Sequence, residues 1–201
     1  SGFGAPIAGL IFAHEVIDRH FSLKAIAPIL VASIVANTVS TEFYGSEPLF
    51  AVKIGGISEF YEILPLIIVG ILSGLVASIY MRGLTGYLPI PIKIPTFLLP
   101  IIAGTICGIV GVFVPEVLGL GSETIRSLLV DEKTFTTLIL LLVSKVVLTV
   151  VCIRFGLFGG IFSPALFIGA ALGCILAFFF KFFIPDANIS LFAVAAMAAV
   201  T

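Results

Sequence analysis

Residues 159–164 read Gly-Gly-Ile-Phe-Ser-Pro, inside an apolar stretch, 155–180, with the composition of a segment that lies in lipid. Two glycines and a proline there predict an interrupted helix at membrane depth. Unpaired peptide groups in hydrocarbon cost several kcal/mol, so such a break survives only where it lines a polar cavity or meets a ligand. A helix restarting at Pro164 presents its N-terminus to the break. That end carries free N–H donors and about half a positive charge, which suits an anion. Gly159 and Gly160 let the backbone turn and approach an ion closely. The amides of Ile161 and Phe162 are the principal donors, with Gly160, Ser163 and Pro164 completing the turn and the helix start. The same residues also suit a plain kink for helix packing, since glycine and proline are common in membrane helices. The motif's chemistry leaves both readings open.

The whole chain is compatible with lipid. Hydrophobic residues make up 60% of it and charged residues 10%, against roughly 25% charged in ordinary soluble domains. Mean hydropathy is +1.31, which excludes an ordinary soluble domain. A net charge of −1 gives no reason to expect a nucleic-acid partner. Cys107, Cys152 and Cys174 all fall in apolar spans without CxxC spacing, and read as small buried hydrophobes rather than disulfide or metal ligands. The chain starts at Ser-Gly-Phe-Gly and stops inside an apolar segment. Residues 1–201 are therefore expected to be part of one transmembrane domain, truncated at both ends.

Along the chain the apolar segments are unequal. A short helix over 5–17 is opened by Pro6 at a favourable first position, and a second short one covers 25–40. Both fall below the roughly 20 residues a span requires. A polar, glycine-containing connection follows over 41–62. Long helices are predicted over 63–86 and 134–154, with another over 96–114. Gly70 and Gly74, and again Gly104 and Gly108, stand four apart, a spacing that suits close helix packing. Residues 87–95 alternate proline with isoleucine as a stiff linker, and 115–133 read as an aqueous loop with a short helix. After the break come a helix over 164–182 and a last apolar stretch from 189. Unequal, interrupted helices mark transporter folds with a midplane site.

Two groups of polar residues need weighing. Lys145 lies near the middle of a span, where ionisable groups are costly. It is expected to snorkel or to pair with an acidic side chain. His14, Glu15 and Asp18 form the one cluster resembling a metal site, with His14 and Asp18 four apart on a helix face. A zinc-dependent intramembrane protease wants H-E-x-x-H, and position 18 is aspartate. A polar helix end is the expected reading, and an intramembrane metal-dependent enzyme is the alternative from another class.

Gly159-Gly160-Ile161-Phe162-Ser163-Pro164, followed by 165–173, resembles the GxFxP signature of the CLC family of chloride channels and proton-coupled chloride transporters. Gly4-Ala5-Pro6-Ile7-Ala8-Gly9 and Phe12-Ala13-His14-Glu15 are similar to that family's helix after its first conserved loop. The resemblance covers essentially the whole chain and the middle of the family's fold. It implies an all-α polytopic membrane protein of tilted, broken helices, part of an inverted-repeat architecture. It also implies chloride, or a similar small anion, bound by the amides of Ile161 and Phe162, with no cofactor, metal or catalytic residue. The family's gating glutamate and inner serine are expected before Ser1, and its pore tyrosine after Thr201. Family exchangers carry a proton-accepting glutamate one residue after another glutamate. Glu15 matches the first position and non-titratable Val16 falls at the second. The resemblance therefore implies channel-like conduction, including voltage-gated chloride channel activity, with a chloride/proton antiporter as the alternative. It further implies a homodimer packed through the helices at 5–17 and 25–40, multi-pass in a cell membrane, most readily a bacterial inner membrane.

Overall fold

The computed structural model describes residues 4–18, 23–45, 50, 63–86, 95–130, 133–182 and 188–201. All regular elements among them are helical. All but the last residue of the expected linker over 87–95 and most of the connection over 41–62 lie outside the described residues. The chain divides into two compact units, 1–51 and 52–201.

In the first unit, α1 (Pro6–Phe12) opens with proline in its first turn and passes into a π-helical stretch, Ala13–Asp18. The second helix, α2 (Leu23–Tyr44), is 22 residues long. The expectation of a short helix over 25–40 is corrected, because α2 runs through Pro28 and on into the polar residues Thr41 and Glu42. A proline in a helix interior removes one hydrogen bond, a loss α2 tolerates one turn from its start. Ser33 on α2 donates to the Pro6 carbonyl at 2.9 Å. Gly9 lies so close to that hydroxyl that a Cβ would stand 2.9 Å from it. Val31, Ile34, Val35 and Val39 are exposed, an apolar surface fit for lipid or for another apolar face.

The second unit holds α3 (Ile63–Leu84), α4 (Leu99–Phe113), α5 (Ser122–Val130), α6 (Phe135–Arg154), α7 (Phe162–Phe180) and α8 (Ile189–Val200). Helices α2, α3, α6 and α7 are long and apolar enough to cross a membrane, while α4 and α8 are shorter. The expected mixture of spanning and non-spanning helices is present.

Helix α7 is the centre of this unit. It packs on α8 along a seam of small residues, where a Cβ on Gly169 or Gly173 would overlap the α8 backbone at Met197 or Ala193. With Ala193 and Ala196 opposite, two backbones meet at close range, a small-residue contact suited to apolar surroundings. Val69 and Tyr80 of α3 join the same core. The pairs Gly70–Gly74 and Gly104–Gly108 have the same spacing, yet a Cβ on any of the four would meet nothing within 4 Å. The glycine pair that meets another helix backbone is Gly169–Gly173 on α7, and neither of these two pairs does.

Helix α5 has nine residues and buries Ile125, Leu128 and Leu129. A helix leaves its last four carbonyls without intrahelical partners. Here Cys174 donates its thiol to Leu128 (3.2 Å) and Ser190 its hydroxyl to Leu129 (2.7 Å). The end of α5 is thus held against α7 and α8.

Candidate functional site

The break between α6 and α7 is made differently from the sequence expectation. Helix α6 ends at Arg154, and Gly156 adopts φ +86°. The Gly156 N–H reaches the Ile153 carbonyl at 3.2 Å, and the Leu157 N–H reaches the Cys152 carbonyl at 2.9 Å. This pair of bonds with a left-handed glycine is a Schellman termination. Gly156 therefore stops the helix. Gly159 and Gly160 do not adopt positive φ, so a turn requiring glycine there is corrected. Both are exposed, and a Cβ on either meets nothing within 4 Å.

Helix α7 begins at Phe162, two residues before Pro164. Ile161 occupies the N-cap and supplies no side-chain cap. The first bond of the new helix runs from the Ala165 N–H to the Ile161 carbonyl at 3.1 Å, and the Ile161 N–H meets no acceptor among the described residues. Pro164, in the third helical position, has no N–H to leave unpaired. Ser163 is the residue whose hydroxyl most readily caps a helix, but it donates instead to the Leu120 carbonyl at 3.0 Å. The end of α7 is thus tied to the loop between α4 and α5, and its N-cap residue Ile161 makes no side-chain cap. Ile161 and Phe162 are partly exposed at this end.

Two residues of neighbouring helices, Tyr80 and Lys145, approach the break. Tyr80 of α3 is buried and points its hydroxyl at the Ile161 carbonyl, 3.5 Å away, a long and weak bond. Lys145 of α6 does not snorkel, and among the described residues it pairs with no acid. It is 4% exposed, and its ammonium donates to the Val117 carbonyl at 2.8 Å and the Gly119 carbonyl at 2.9 Å. The same ammonium stands 5.0 Å from the Phe167 ring centroid, within the range of a cation–π contact. The expected partner classes fail because loop 114–121 folds back over α6 and offers main-chain dipoles. Gly121 permits this with φ +73°, and a Cβ there would strike the Phe167 ring.

A cavity of about 190 Å³ brings these pieces together, with Gly159, Gly160 and Pro164 on its wall beside Gly119 and Lys145. Ile161 and Phe162 are not among its lining residues and stand beside it at the helix end. Cys107 and Cys152 also line it and are partly exposed. Only Cys174 is buried, so the reading of three buried thiols holds for one.

In the first unit, His14 is 1% exposed with Nδ1 3.1 Å from the Leu10 carbonyl, while Glu15 is exposed. The stretch Ala13–Asp18 is π-helical and bonds i to i+5. Among the described residues no group of three potential metal ligands converges. The side chains of Val16 and Asp18 lie outside the described residues.

A model described as "Voltage gated chloride channel" matches residues 1–201. The chain belongs to this family. A putative ClcB-like chloride channel protein of Ralstonia nicotianae is 29% identical over 179 residues, covering 86% of this chain and 41% of that protein. Chloride channel protein CLC-f of Arabidopsis thaliana is also 29% identical, covering 87% of this chain and 24% of that one. Among solved structures, a slow cyanobacterial Cl−/H+ antiporter superposes with a TM-score of 0.82 at 25% identity, covering 98% of this chain and 48% of its own. The chain spans less than half the length of each of these relatives. The family and the all-helical membrane fold expected from the Gly160–Pro164 turn are borne out.

Proposed function

We propose that the chain forms part of a transmembrane conduit for chloride or a similar small anion, and that the N-terminus of α7 is its central binding site. One observation carries this reading. A 19-residue helix starts in an apolar setting with no side-chain cap, with the Ile161 N–H directed at no acceptor, and with two glycines before it that crowd nothing. Hydrogen-bond donors at a helix start, in a site poor in competing acceptors, select an anion. Backbone dipoles hold it weakly enough for it to leave. The principal ligands are the amides of Ile161 and Phe162, with Gly160 giving room and Ser163 and Pro164 fixing the helix end.

Channel-like conduction follows from Val16, which has no proton to exchange at the position after Glu15. The second reading, a chloride/proton antiporter, is favoured by the solved structure that the chain resembles, itself a Cl−/H+ antiporter. The apolar outer surfaces of α1 and α2 suit a homodimer contact within the bilayer, and the bacterial relatives favour an inner-membrane location. Reconstitution of the intact protein in vesicles separates the readings. Chloride efflux without uphill proton movement is the expected result. Proton pumping at a fixed ratio to chloride makes the protein an antiporter, and absence of any anion flux overturns the proposal.

A further inference from the structure

Lys145 is a basic side chain held in the middle of a spanning helix and nearly sealed from solvent. A buried ammonium without compensation is expensive, and an ionisable group at membrane depth is a functional candidate for that reason. Its surroundings here are unusual in kind. The ammonium has three donors. Two go to the Val117 and Gly119 carbonyls at 2.8 and 2.9 Å, and the third meets no acceptor among the described residues. The Phe167 ring lies 5.0 Å away. Carbonyls and a ring face are dipoles and a quadrupole. They solvate the charge and do not cancel it. No carboxylate pairs with Lys145 among the described residues. The residue also forms the wall of the cavity that Gly159, Gly160 and Pro164 enter from the opposite element.

We infer that Lys145 sets the affinity of the anion site, by placing an uncancelled positive charge on the cavity at the mouth of α7. This rests on the reading of the α7 N-terminus as an anion site. In surroundings of low dielectric constant a unit charge acts over a longer range than it does in water, so Lys145 attracts the anion without coordinating it. The two carbonyls give the arrangement its balance. They occupy most of the ammonium's donors and lower the potential it projects, so that an anion is drawn in and still released. They also fix loop 117–119 against α6, giving the lysine a structural role that any test must separate from its charge.

Two substitutions in the intact protein make that separation. Lys145→Gln keeps N–H donors for the Val117 and Gly119 carbonyls and removes the charge. Lys145→Arg keeps the charge. The readouts are the chloride concentration giving half-maximal flux in vesicles and chloride binding by isothermal titration, with melting temperature measured in parallel. The expected result is apparent chloride affinity at least tenfold weaker in the glutamine variant, at a melting temperature near that of the parent, and affinity within about threefold of the parent in the arginine variant. If the glutamine variant does not fold, Lys145→Met provides the neutral comparison, with the same loss expected. A neutral, folded variant that binds chloride as the parent does overturns the assignment, as does an arginine variant that loses affinity tenfold while folded. A parent protein that neither binds nor moves chloride sinks the reading of the site itself, a different outcome from a parent that conducts and a neutral variant that matches it.

Discussion

Two glycine pairs on either side of the α7 N-terminus exist for opposite reasons. Gly169 and Gly173 are forced by packing, since the α8 backbone occupies the space where their Cβ atoms would be. Gly159 and Gly160, nine or more residues earlier, face nothing within 4 Å and do not adopt a glycine-only conformation. Neither close packing nor backbone strain within this unit accounts for them. One pair closes the protein on itself and the other leaves the main chain bare at the end of a helix. Bare main chain at membrane depth is costly unless something polar meets it, so the contrast separates the part of α7 that makes the fold from the part that handles a ligand.

The largest expected effect lies on the packed side. Gly173→Ala drives a methyl group into the α8 backbone, and it is expected to destabilise by about 2–3 kcal/mol; thermal unfolding in detergent measures it. A variant as stable as the parent breaks the comparison. Gly156→Ala comes next. It places a Cβ in the left-handed region and opposes the two capping bonds that end α6, at about 1–2 kcal/mol. Ser163→Ala releases the Leu120 carbonyl and is expected to cost about 0.5–1 kcal/mol in the same assay. The smallest stability effect belongs to Gly160→Ala, below about 0.5 kcal/mol, because the added methyl meets no protein atom. That variant sharpens the comparison most, since chloride affinity is expected to fall about tenfold where the methyl obstructs the ion's approach. Loss of stability with unchanged affinity reverses the assignment of this glycine.

The long helices α3 and α6 were legible because apolar runs of about 20 residues admit few alternatives, and the predicted boundaries at 63–86 and 134–154 lie within two residues of the observed ones; α2 was not, because its ends run into the polar residues Lys24, Thr41 and Glu42. The turn at 159–164 was legible as a break, but the residue that breaks the helix was misplaced. Gly156, two residues past Arg154, is a helix-stop signal in its own right, and the more conspicuous glycine pair drew the reading away from it. Spacing misled in another place. Gly70–Gly74 and Gly169–Gly173 have identical four-residue periods, and nothing local tells which face meets another backbone. Lys145 was the least legible residue. Its partners are main-chain carbonyls 26 and 28 residues away, and a carbonyl leaves no trace in side-chain identity. The π-helical stretch at 13–18 is similar, since nothing in its apolar and polar pattern distinguishes that helical period from the α-helical one.

The central claim is that peptide N–H groups at the start of α7 hold the anion. Crystals of the intact protein grown in bromide, with anomalous diffraction collected at the bromine edge, test it most directly. A bromide peak within hydrogen-bonding distance of the Ile161 and Phe162 amides is the predicted result. A map in which bromide sits elsewhere, with those two amides bonded to carbonyl oxygens of the chain, contradicts it.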